Sequence, residues 1–200
     1  MRWRPKGTFR PGRSAQGRHV AVMIMAVACG WGFAEATLFF LVPDIWLSYL
    51  ALVDLRRALR ASLWTVGGSL LGGIVMYLWS ANDPPSALNT VEHLPAIGAQ
   101  MLARGATMLH EQGVWSLFPG MLRGLPYKVF AVQAPHAAIT LPVLLLATIP
   151  ARLARFALVS VMTRIIATRV LRSWSRRAQV LTLTAFWVVF YAMYFAIHAG

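Results

Sequence analysis

Two stretches of this chain, Ala61–Ser80 and Ala178–Ile197, run for twenty residues each without a charged side chain. About 20 apolar residues in a helix match the thickness of a bilayer's hydrocarbon core. The second stretch contains LTLTAFWVVFYAMYFAI, apolar and aromatic throughout. Composition agrees: 58% of the residues are hydrophobic, 12% are charged, and the mean hydropathy is +0.60. A soluble domain has about 45–50% apolar and about 25% charged residues. A water-soluble enzyme of this length could not hide so much apolar surface in one core. The same numbers exclude disorder, and the single cysteine, Cys29, excludes a disulfide scaffold. The expected class is an all-α integral membrane protein.

Three further segments are apolar but carry charge. Thr140–Thr163 is long enough to cross and contains Arg152 and Arg155. Val20–Leu52 is interrupted by Glu35 and Asp44. Val114–Ile139 is interrupted by Arg123 and Lys128 and punctuated by Pro119, Pro126 and Pro135. The first 29 residues have the basic start and small residues of a signal peptide, at Ala26, Ala28 and Cys29. The apolar run continues past Cys29 through Trp31, Phe33 and Leu38, so cleavage is not expected.

Charge orients these segments. Nineteen Lys and Arg face six Asp and Glu, a net +13. The basic residues form three main blocks, one at positions 2–18, one at Arg56, Arg57 and Arg60, and one from Arg164 to Arg177. Basic blocks beside apolar segments follow the positive-inside rule and suit an anionic membrane surface. They show no stacking aromatics or binding module, so nucleic acid is not an expected partner. A single full span at 20–52 would leave Arg56, Arg57 and Arg60 outside. If that segment instead enters and returns, turning near Glu35, every basic block is cytoplasmic. Ala61–Ser80 then crosses outward and 81–112 lies outside. The segment 114–139 enters and returns from that side, and Thr140–Thr163 crosses back.

The expected architecture is therefore three transmembrane helices plus two opposed re-entrant helical hairpins. Residues 1–19 form a basic cytoplasmic tail, 20–177 the membrane domain, with re-entrant segments near 20–52 and 114–139, and 178–200 the C-terminal helix. Non-helical backbone at membrane depth is tolerated only where protein or a wet cavity covers it, so the hairpins should meet.

Six charges lie inside apolar segments: Glu35, Asp44, Arg123, Lys128, Arg152 and Arg155. Each costs about 2.5–3.5 kcal/mol at a helix centre on insertion scales, so each calls for a partner or a function. Four cations and two acids leave positive charge in surplus, which suits an anion such as a lipid phosphate. Glu35 reads as a proton-coupling or pairing carboxylate, against the plainer reading of a group bonding free turn amides. Asp44 follows Pro43 and is as well suited to capping a helix. Arg152 lies deep and should pair with Glu35 or hold an anion, whereas Arg155 is near enough to an end to snorkel. Arg123 and Lys128 flank the breaking residues Gly124 and Pro126. His136 reads as a satisfied structural group. Gly67, Gly68, Gly72 and Gly73 read as helix packing. No metal cluster, nucleotide loop or nucleophile–base pair stands out, so neither an enzyme nor a cofactor is expected.

The runs GLPYKVFAVQA (Gly124–Ala134) and IPARLARFALVS (Ile149–Ser160), with GFAEATLFFLVPD (Gly32–Asp44) upstream, resemble the DedA family and its VTT, or SNARE-associated Golgi protein, domain. The likeness is to the small bacterial YqaA-type branch and covers roughly Gly30 to Thr163. Ala151 stands where the family often has glycine, and Pro135-His136 where it tends to have small residues. The resemblance implies opposed re-entrant hairpins and movement of lipids across the bilayer by scrambling or flipping. Glu35 and Asp44 would match its functional acids, and Arg123, Lys128, Arg152 and Arg155 its basic site. The expectation is a transporter-like protein of the bacterial inner membrane, N-terminus cytoplasmic, that moves an anionic lipid (a phospholipid or a polyprenyl phosphate). Coupling to protons is left open, as is a homo-oligomer. The rival expectation is a scaffold whose buried charges are structural.

Overall fold

The computed structural model describes residues 12–95 and 97–198. Most of the basic tail, including Arg2, Arg4, Lys6 and Arg10, lies outside the described residues. Nine α-helices make up the described chain, joined by short 3-10 turns and one π-helical turn, and no strand occurs among these residues. They are α1 (Gly12–Ala36), α2 (Asp44–Val53), α3 (Leu55–Asn82), α4 (Pro84–Glu92), α5 (Ala99–Gln112), α6 (Leu117–Leu122), α7 (Tyr127–Gln133), α8 (Leu141–Ile165) and α9 (Arg176–His198).

Four helices are long and apolar enough to cross a membrane: His19–Ala36, Leu55–Asn82, Leu141–Val170 and Arg176–Ala196. The sequence pointed to three such helices. The fourth is the first limb of the segment 20–52, because Glu35 falls in the last turn of α1 and does not interrupt it.

Close contacts fix the directions. Thr65's carbonyl lies against Gly32, Cys29's carbonyl against Gly68, and the Ala36 side chain would stand 2.7 Å from a Cβ on Gly72. Ala28 clusters with Ala61, Ser69 donates to Gly32 O, and Ala36 lies against Gly72, so α1 and α3 run in the same direction. The chain must come back between them, and α2 does so. Its 10 residues reach about 15 Å at 1.5 Å per residue. Asp54 then caps α3, accepting from the backbone N–H of Arg56 at 2.9 Å and of Arg57 at 3.3 Å. The turn between α1 and α2 is held by Trp31, whose indole Nε1 donates to Leu41 O at 3.0 Å.

α8 runs opposite to α3. Tyr77 donates to Ile139 O at 3.0 Å near one end, and Phe156 packs with Ala61 and Val66 near the other. A second hairpin sits between them. Its limbs are α5–α6 and α7, with Val129 of α7 packed on Gly105 of α5. The turn falls at Gly124, whose φ of +89° favours glycine. The first limb of this hairpin begins at Ala99 on α5. α9 lies along α2 in the opposite direction, through Tyr49–Thr184 at 2.7 Å, Trp187–Ser48 at 3.0 Å and Tyr191–Val42 N at 2.8 Å.

The four glycines of α3 divide by face. Gly68 and Gly72 admit α1, Gly73 admits the Tyr127 hydroxyl, and Gly67 has nothing within 4 Å. We therefore expect Gly68→Ala to lower the thermal unfolding midpoint of the purified protein, at a cost of about 1–3 kcal/mol for forced repacking. Gly67→Ala should keep or raise it, since alanine is the better helix former. Equal behaviour of the two variants would contradict this packing.

Candidate functional site

Both hairpins end on α8. Arg152 and Arg155 lie three residues apart and so project from neighbouring positions on one side of the helix. Arg152 pairs with Glu35 from the end of α1. Arg155 donates to Asp44 Oδ2 at 2.7 Å through Nη2 and at 3.1 Å through Nε. Its remaining arm, Nη1, donates to Met121 O at the tip of the second hairpin, at 3.0 Å. One guanidinium thus joins the start of α2, the end of α6 and α8. Lys128 makes a second link between hairpins: its Nζ donates to Phe39 O at 2.6 Å, in the turn of the first.

Burial makes these contacts matter. Glu35 is 4% exposed, Asp44 1%, Lys128 1% and Arg152 3%. Arg152 is also sandwiched between aromatic rings, its guanidinium carbon 5.0 Å from the Tyr127 centroid and 5.1 Å from that of Phe156. Such cation–π contacts strengthen as water is removed. Its Nε and Nη1 nevertheless have no hydrogen-bond partner among the described residues, and neither has Asp44 Oδ1. Arg152 therefore keeps unspent donors inside the molecule, and Asp44 an unspent acceptor.

Five of the six charges singled out in the sequence come together here. The sixth, Arg123, does not join the ion pairs. It is exposed at the C-terminus of α6, where Gly124 turns the chain away. Arg155 does not reach toward a helix end, as snorkelling would have it, because Asp44 offers a buried carboxylate instead. Asp44 in turn makes no helix cap. Sequence reasoning missed Tyr127, Phe156 and the two carbonyl acceptors, Phe39 O and Met121 O. Backbone acceptors leave no mark on a sequence, but Tyr127 adjoins Lys128 and could have been noticed.

His136 is a satisfied group. Ser80 donates its hydroxyl proton to Val132 O at 2.7 Å, so its contact with His136 Nε2 at 2.9 Å requires the histidine to donate. Nε2 therefore carries the proton.

Two spaces adjoin the cluster. The larger, about 750 Å³, lies between α8, α9 and the tip of the second hairpin. Ligand cavities commonly span about 300–1,000 Å³. Its walls are mostly aliphatic and aromatic, including Leu158, Met162, Phe186 and Phe190. Asp44, Arg123, Gly124 and Arg155 line it together at one end. The smaller, about 60 Å³, lies between the hairpins and is lined by Glu35, Lys128, Arg155 and Tyr191 among others. The two share Gly124, Arg155, Phe190 and Tyr194 as walls. The α9 aromatics thus line cavities as well as the exterior.

No family model, curated protein or solved structure matches this chain.

Glu35→Ala would leave Arg152 buried without its carboxylate, at a cost of about 3–5 kcal/mol. Replacing both partners with apolar residues, Glu35→Leu with Arg152→Met, should recover most of that loss. Thermal unfolding of the two variants checks this, and a double variant no better than the single would overturn the pairing.

Proposed function

We propose that this chain is a multi-pass membrane protein that moves an anionic lipid across the bilayer. The observation that carries the reading is the large cavity with apolar walls and Arg123 and Arg155 at one end. Apolar walls suit an acyl or prenyl chain. Arginine suits a phosphate, since its planar fork offers paired donors in a dry setting. In this reading Arg123 and Arg155 meet the phosphate at the cavity wall, and Lys128 and Arg152 add positive charge behind them. Glu35 and Asp44 neutralise it when empty. The α1–α2 and α5–α7 hairpins enter from opposite faces and return.

Orientation follows from charge. The end where α3 begins carries Arg56, Arg57 and Arg60, with Arg169, Arg172, Arg176 and Arg177 near the junction of α8 and α9. The positive-inside rule makes this end cytoplasmic. A bacterial inner membrane and kinship with the DedA family fit the same reading, supported by the motifs GLPYKVFAVQA and IPARLARF and by the acidic first hairpin.

The pairing of Glu35 with Arg152 and of Asp44 with Arg155 favours a second reading, a scaffold whose charges only lock the hairpins together. Reconstitution in liposomes separates the two. Transbilayer movement of a labelled anionic phospholipid is measured beside Arg123→Ala. Arg123 is exposed and outside the ion pairs, so this variant should fold as wild type does. A lost charge-assisted hydrogen bond is worth about 1.5–3 kcal/mol, so transport should fall roughly 10- to 100-fold. Movement unaffected by Arg123→Ala would remove this arginine from the site. No movement by folded wild-type protein, across several anionic lipids and with a proton gradient, would favour the scaffold.

A further inference from the structure

The charges between the two hairpins do not balance. Three cations, Lys128, Arg152 and Arg155, face two carboxylates, Glu35 and Asp44. Both carboxylates are taken by the arginines. Lys128 is left with a single hydrogen bond, to Phe39 O, and no carboxylate within 4 Å among the described residues. An ammonium has three protons to donate, so two of them have no partner among the described residues. Buried charges elsewhere in proteins are paired or neutralised, because an uncompensated one is costly.

Lys128 also borders the small chamber of about 60 Å³ between the hairpins. A single water needs about 10–15 Å³ on this measure, so the chamber has room for an ion and a few waters. We propose that this chamber holds one monovalent, halide-sized anion against Lys128.

The charge and the walls together select that class of ligand. The surplus is one positive charge, so one negative charge closes it. Glu35 lines the same chamber and repels a dianion. Much of the remaining wall is carbon, from Phe40, Ile97, Leu125 and Phe190. A phosphate dianion would exceed the single surplus charge. A halide needs few donors and is weakly hydrated. Arg155 forms the partition with the larger cavity, so the ion completes the field on the far side of that guanidinium. The site rests on the chamber and the charge count, and it stands whether or not the larger cavity carries lipid.

The test uses the full-length protein in a neutral detergent. Thermal unfolding is followed in sodium bromide and in sodium gluconate, with ionic strength held constant. Wild type should gain several degrees in bromide, and the gain should saturate with concentration. Lys128→Met should lose the response, and Lys128→Arg should keep it. Equal midpoints for wild type in bromide and gluconate would overturn the proposal, as would an undiminished response in Lys128→Met. Inorganic phosphate at the same ionic strength should not reproduce the gain, and if it did the assignment of size and charge would fail. Should Lys128→Met not fold, anomalous diffraction from wild-type crystals grown in bromide decides. A peak beside Nζ supports the site, and an empty chamber ends it.

Discussion

Arg155 reaches three parts of the chain that are far apart in sequence: Asp44, Met121 and its own helix. A guanidinium cannot be left half-solvated beside apolar helices, so all three must arrive together. The first hairpin supplies a carboxylate and the second a carbonyl. Neither hairpin is a stable apolar unit alone, because each ends in unspent backbone groups and a charge. Each completes the other, and α8 supplies the cations between them. Arg152 repeats the device three residues earlier with Glu35. Lys128 adds a third tie in the reverse direction, from the second hairpin to the backbone of the first.

Packing serves this arrangement. α1 approaches α3 closely enough to bring Glu35 to α8 because Gly68 and Gly72 carry no side chains there. Gly73 makes room for Tyr127, whose ring then lies against Arg152. Small residues at helix contacts let backbones draw near where lipid gives apolar side chains no reason to associate. The charges and the glycines are thus two halves of one design: the glycines set the distances and the charges use them.

Much of this was legible in the sequence. The turn just after Glu35, the break at Gly124–Pro126 and the paired arginines all stand out, because charge and helix-breaking residues are rare in apolar runs. Which acid meets which arginine was only half legible. Arg152 was expected to pair with Glu35 or hold an anion, while Asp44 was given no arginine; pairings across 117 and 111 residues have no period to read. Arg123 and Lys128 looked alike, yet the turn at Gly124 exposes one and buries the other. The role of α5 was hidden because 81–112 was read as lying outside. Its buried residues, Met101, Leu102, Gly105 and Leu109, do fall on one helical stripe. That spacing could have revealed a packed limb. The difference between Gly67 and Gly68 could not be read, because composition does not say which face of α3 receives a neighbour.

The position of α9 bears on how the molecule is made. Its hydrogen bonds reach back to α2, to the turn before it and to the end of α8. The ion pairs and the main apolar core lie entirely in the chain before it. A ribosome delivers the N-terminal part first. The nascent chain can therefore assemble both hairpins against α8 while α9 is still being synthesised, leaving an open cleft beside Arg155 and Asp44. Arrival of the last helix adds a second wall to that cleft, which stays open along Leu158, Met162 and Phe186. The space is thus completed last, and its open side lets its contents exchange after folding.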